Sequence, residues 1–195
     1  MAKPIKLSHY VLQSQNPHCL ASWYAALLDA EIVFKTDFLT LLTYDDEHHR
    51  IAFAALPPAA DGQIAKRENG RPGLSHVAFG FESLSELLTC FENAKGRGDA
   101  PVVSIHHGPT ISLYYKDPDG NNVETFIECF PNAKAAMDYL LSPAFQENPI
   151  GVPFDADAAL TKLKSGVPVA EITAFDRTKK VDVATLGRQT LESLG

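Results

Sequence analysis

The sequence predicts an α+β fold: two βαβββ modules forming a curved mixed sheet around a cleft, followed by a C-terminal extension. Three observations lead there. The tripeptide Leu-Ser-His occurs at Leu7–His9 and again at Leu74–His76, 67 residues apart. Each copy opens an apolar run that leads into a helical pattern, and each helical pattern is followed by three strand-like segments. Glu124 lies on the last of those segments, 48 residues after the second histidine. A fixed repeat of this kind marks one supersecondary unit used twice, because a single unit cannot cover both faces of its own sheet.

The elements follow in order. Residues Ile5–Ser14 alternate as a strand, with Leu7, His9 and Val11 on one face. Asn16-Pro17 starts a helix running to about Leu28, with Leu20, Trp23, Tyr24 and Leu27 at helical spacing. Strands are expected near Ala30–Lys35, Phe38–Tyr44 and His49–Leu56, with Asp45-Asp46-Glu47 as a turn. Pro57–Gly73 is rich in proline, glycine and mixed charge, and reads as a connector. The pattern then restarts with a strand at Gly73–Phe81. A helix capped by Ser83 reaches about Lys95, and Glu86 completes a capping box. Strands are expected at Pro101–His106, Ile111–Lys116 and Asn121–Cys129, the last two joined by the turn Asp117-Pro118-Asp119-Gly120. In the tail, helices are expected at Asn132–Leu141, Asp155–Lys164 and Val181–Leu194, with Ser142–Pro153 extended. The expected division is one domain at 1–142, holding module one at 5–56 and module two at 73–130, and an extension at 143–195.

Composition narrows the function. The chain has 195 residues, 45% hydrophobic and 21% charged, ordinary for a globular protein. Its net charge of −7 argues against a nucleic-acid surface, which needs clustered Lys and Arg. There is no apolar run long enough to span a membrane and no apolar leader after Met1, so a cytoplasmic location is expected. Cys19, Cys90 and Cys129 are odd in number and widely spaced, as reduced thiols rather than a disulfide framework.

His9 and His76 occupy the same position in the first strand of each module, and Glu124 sits on the last strand of the second. The matching strand of the first module offers Ile51, Ala52 and Phe53 there, and no carboxylate. Taken singly, each histidine reads as an ordinary hydrogen-bonded strand residue. As a repeated set, two imidazoles and one carboxylate read as a metal site with open positions, which suits non-haem Fe(II) chemistry with oxygen and a chelating substrate.

The stretch Ile105–Glu124, IHHGPTISLYYKDPDGNNVE, carries a further pattern. It resembles the signature of type I extradiol ring-cleavage dioxygenases: a histidine, a spacer, an apolar residue and a tyrosine, then an acidic or polar residue, a proline, a glycine and a ligand glutamate. Here these are His107, Leu113, Tyr114, Asp117, Pro118, Gly120 and Glu124. The repeated βαβββ modules are similar to those of the wider vicinal oxygen chelate superfamily, also called the glyoxalase, bleomycin resistance and dioxygenase superfamily. The resemblance covers about residues 5–130 and stops before the tail. It extends to the pair His48-His49 that leads into Ile51-Ala52-Phe53. It implies Fe(II), with Mn(II) as the alternative, held by His9, His76 and Glu124. It implies His49 as an acid–base histidine, Tyr114 as a partner of a substrate oxygen and His107 as a residue steadying the substrate. The implied reaction adds both atoms of O2 to a catechol or 2,3-dihydroxybiphenyl-like substrate and opens the ring beside the two hydroxyls. His48, His106 and His18 read as turn, surface or structural residues, and Asp117, Pro118 and Gly120 as turn formers.

Two rival readings belong beside this one. Another metal enzyme of the same superfamily, of glyoxalase, epimerase or fosfomycin-resistance type, has no need of His49, His107 and Tyr114. A non-catalytic binding module has no need of the ligand set. A homo-oligomer is expected, with the extension covering the cleft or lying at a subunit interface, because two modules alone supply few pocket walls.

Overall fold

The structure is a computed structural model, and it describes residues 3–57, 73–176 and 192–193. The described residues divide into two units. The first contains β1 (Tyr10–Ser14), α1 (Pro17–Leu28), β2 (Glu31–Lys35), β3 (Leu39–Thr43) and β4 (Ile51–Ala55), together with the turn Asp117–Asn121. The second contains β5 (His76–Phe81), α2 (Leu84–Gly96), β6 (Val103–His106), β7 (Thr110–Lys116) and β8 (Asn122–Glu128). It continues through α3 (Ala133–Leu140), α4 (Pro143–Glu147), β9 (Val152–Pro153), α5 (Ala156–Lys164) and α6 (Val169–Ile172). The order strand, helix, three strands therefore occurs twice, as the repeat predicts.

Each unit has its own mixed sheet: β1-β4-β3-β2 in the first and β5-β8-β7-β6-β9 in the second. The expected single curved sheet is thus two separately hydrogen-bonded sheets. In both, the first strand pairs parallel with the fourth, and every other pairing is antiparallel. A parallel pair needs a long crossover, and here the helix and two strands between them supply it.

The helices form for local reasons and bury one face. In α1 the Asn16 side chain accepts the amide of Cys19, and Pro17 takes the first-turn position, where its missing N–H costs nothing. Leu20, Ala21, Tyr24 and Leu27 are buried, and the Tyr24 ring lies 5.3 Å from Phe53 on β4. Asp29 ends the helix in the left-handed conformation. In α2 both halves of the capping box form: Ser83 accepts from the Glu86 amide, and the Glu86 carboxylate accepts from the Ser83 amide. Leu84, Leu87, Leu88, Phe91 and Ala94 line its buried face. Full burial of one such large side chain is worth about 1.5–3 kcal/mol.

Four expectations shift. β1 begins at Tyr10 and β4 at Ile51, so His9 and His49 each precede their strand. Ser142–Pro153 is extended only in part, because Ser142 caps α4 and Pro143 opens it; here the proline starts a helix. A short α6 appears after Pro168, where none was expected. The expected helix Val181–Leu194 lies outside the described residues except for Glu192 and Ser193, and most of the connector Pro57–Gly73 also lies outside them.

Candidate active site

In the second unit, register brings four of the expected residues onto one face of the sheet. His76 opens β5 and pairs with Asn122 on β8, so Glu124, two residues on, shares its face. Tyr114 on β7 stands directly opposite Glu124. His107 follows β6 at the hairpin into β7, where its amide donates to the Thr110 carbonyl.

The contacts are short and specific. His76 Nε2 lies 3.0 Å from Glu124 Oε2. The His76 ring meets the edge of Tyr114, 5.5 Å between centroids. His107 Nε2 lies 3.1 Å from Tyr114 Oη, and its Nδ1 lies 2.6 Å from the carbonyl oxygen of Ile150. Glu124 and Tyr114 are buried, while His76 and His107 are half-buried.

Electrostatics follow from this packing. Burial opposes ionisation of Glu124, yet hydrogen bonding from His76 and Ser112 outweighs it and holds the carboxyl below its ordinary range. The same Glu124 bond, more than offsetting burial, pushes the His76 imidazole up. Burial, reinforced by the negative Glu124, pushes the Tyr114 phenol up. Burial pushes His107 down.

In the first unit, His9 is exposed, and its ring lies 4.6 Å from that of His49. His48 Nδ1 and His49 Nδ1 are 2.6 Å apart, so one of them donates to the other. Partial burial and the neighbouring His48 and His9 rings push His49 down. The segment before β1 is held by Arg50. Its Nη1 donates to the carbonyls of Leu7 at 3.1 Å and Ser8 at 3.0 Å, while Nε and Nη2 grip Asp45 at 2.9 Å. Extending the β1–β4 register puts Ala52 at the place Glu124 holds in the second unit. The first unit thus carries no carboxylate there.

His9 and His49 are therefore gathered in one unit, and His76, Glu124, Tyr114 and His107 in the other. Within either unit, no group of three or more described His, Cys, Asp or Glu side chains converges as a metal cage. His106 is buried, rather than facing solvent, and His18 bonds the Thr36 carbonyl at 2.9 Å as a structural residue. Asp117 does more than form a turn, since its carboxylate accepts from the Asn121 side chain at 2.9 Å and from the Tyr24 hydroxyl at 3.1 Å. Sequence reasoning missed Arg50, Ser112 and Ile150. Arg50 and Ile150 act through main-chain carbonyls, which leave no residue pattern to read.

Comparison with known proteins agrees with the repeat. The model of the Glyoxalase/Bleomycin resistance protein/Dioxygenase superfamily matches residues 6–125. Biphenyl-2,3-diol 1,2-dioxygenase 2 of Rhodococcus globerulus is 40% identical over 168 residues, 86% of this chain and 86% of that protein. Biphenyl-2,3-diol 1,2-dioxygenase 3 of the same organism is 36% identical, over 86% of this chain and 87% of its own. A solved glyoxylase/bleomycin resistance protein/dioxygenase domain from Frankia sp. EAN1pec shares the fold, with a TM-score of 0.53 and 19% identity, over 65% of this chain and 99% of that one. The doubled βαβββ unit, the matched family model and the two dioxygenase relatives together show that the chain belongs to the glyoxalase/bleomycin resistance protein/dioxygenase superfamily.

Proposed function

We propose that the chain is a non-haem Fe(II) extradiol ring-cleavage dioxygenase. Its proposed substrate is a catechol or a 2,3-dihydroxybiphenyl-like diol, opened beside the two hydroxyls with incorporation of both atoms of O2. The observation that carries this reading is the continuous line Glu124–His76–Tyr114–His107 on one sheet face, in a chain 40% identical to a biphenyl-2,3-diol 1,2-dioxygenase.

The donor chemistry fits the metal. Glu124 is kept ionised beside an imidazole, and a second imidazole, His9, stands at the equivalent point of the sequence repeat. His9, His76 and Glu124 are the proposed ligands, and Mn(II) accepts the same set. Held there, the metal would supply Lewis-acid and redox chemistry toward a chelating diol and O2. The chain's own groups handle protons. Tyr114 Oη accepts the hydrogen bond of a diol hydroxyl and gives its own single proton toward His107 Nε2. His107 stands behind it as the acceptor. His49 exchanges a proton with the reacting oxygens, a role matched to imidazole near neutral pH. We place this activity in the cytoplasm and in a homo-oligomer, whose subunit number sedimentation would check.

Incubation of anaerobically Fe(II)-loaded protein with 2,3-dihydroxybiphenyl, catechol and substituted catechols in air tests the reading. A yellow ring-opened product with matching oxygen uptake is expected. Metal-loaded protein inert toward every diol would reject it in favour of another reaction of the superfamily. His9→Ala, His76→Ala and Glu124→Ala are each expected to lose iron, measured by metal analysis after desalting. His49→Ala is expected to keep iron and lose turnover by roughly 100-fold or more.

A further inference from the structure

The C-terminal extension reaches the site by its main chain. His107 Nδ1 lies 2.6 Å from the Ile150 carbonyl oxygen. A carbonyl only accepts, so Nδ1 carries the hydrogen. In the neutral ring Nε2 is then a bare lone pair, so the hydrogen bond across the 3.1 Å to Tyr114 Oη requires the phenol to donate, in competition with the Glu124 carboxylate for its single proton. Burial favours that neutral ring.

The carbonyl is held in place from both sides. The Asn148 side chain clamps the turn twice, donating to the Gly151 carbonyl at 2.8 Å and accepting the Gly151 amide at 2.8 Å. Gly151 has φ +99, and a Cβ there would come within 2.2 Å of the His106 carbonyl oxygen. The chain then enters β9, which pairs His106 with Val152 and Ile105 with Pro153. Ile150 is thus fixed between an Asn clamp and a strand laid on β6, the strand that leads into His107.

We propose that the Ile150 carbonyl is a positioning group that sets the tautomer and ring orientation of His107, and through it the direction in which Tyr114 gives its proton. The tail is then a working part of the site. With the opposite tautomer, Nε2–H would face Tyr114, the phenol oxygen would accept, and its proton would point away from His107. The catalytic meaning rests on the proposed role of His107, but the tautomer does not.

The test is the long-range proton–nitrogen spectrum of full-length protein labelled with nitrogen-15 in its histidine rings, with His107 assigned from His107→Gln. The expected result is His107 as the Nδ1–H tautomer in the native chain, and loss of that single tautomer in Asn148→Ala. In the iron-loaded enzyme, Asn148→Ala should lower kcat by roughly 10-fold or more with KM little changed, as for groups that orient a working side chain. An Nε2–H ring in the native chain overturns the proposal, and so does a folded Asn148→Ala that keeps the native tautomer. If Asn148→Ala fails to fold, the native spectrum alone decides. Because the spectrum needs no turnover, its outcome is separate from that of the diol assay.

Discussion

His106 and His107 are neighbours in the chain and do opposite work. Strand alternation turns His107 toward Tyr114 and His106 to the other face. There His106 Nε2–H donates to the Thr173 carbonyl at 2.9 Å and Nδ1 accepts the Gly108 amide at 3.1 Å. Both nitrogens are satisfied only in the neutral ring, and burial accordingly pushes the His106 pKa down. Asp155, Lys162 and Asp176 line the cavity beside it, and Phe175 packs on its ring. The sign follows: the unfolded histidine takes up a proton below about pH 6.5 and the folded one resists it, so this part of the stability is present above that pH and lost below it. Thermal unfolding at pH 7.5 and 5.5 should show a smaller acid penalty in His106→Asn than in the native chain. Arg50 makes the second residue-scale prediction. It ties the carbonyls next to His9, a proposed ligand, so Arg50→Ala should weaken metal binding by roughly 10-fold or more while leaving β4 paired. An unchanged affinity in an iron titration would remove Arg50 from the site. The proposed ligand and proton-handling residues were legible because they carry a repeat or a motif. Arg50 and Ser112 were not, because their partners are brought near only by the fold.

At the scale of elements, legibility tracked how local the cause is. The capping box of α2 is written in four adjacent residues, and the helix starts where they say. Ser83→Ala should cost about 1 kcal/mol in urea unfolding, since it orphans the Glu86 amide. The start of β1 is a tertiary matter. Alternation continues back to Ile5, but the partner strand begins only at Ile51, and the Arg50 side chain is committed to the Leu7 and Ser8 carbonyls. The pairing thus has no partner before Tyr10, and His9 is set just outside it. The segment after Ser142 departs from expectation for a related reason. Proline both breaks and starts helices, and the Ser142 cap that decides between them forms only once the chain has turned.

At the scale of the whole molecule, the two units share one strand order while their chemistry is unequal. Ala52 stands where Glu124 stands, and among the described residues an added strand, β9, extends only the second sheet. Removing residues 143–195 should therefore damage more than a tail. It strips Val152, Ala156, Ala159 and Ile172 from the core, bares the edge of β6, and takes the acceptors of both His106 and His107. The truncated protein should aggregate or unfold at markedly lower temperature, as size-exclusion chromatography and thermal scanning would show. The turn at Ile150 carries one more implication. A group supplied by the main chain is indifferent to the side chain that bears it, so position 150 is free to drift while the site stays intact. What must persist is the pair that shapes the turn, an asparagine followed three residues later by a glycine. A search for proteins built this way would do better to look for that spacing after the glutamate proposed as a ligand than for any residue at 150.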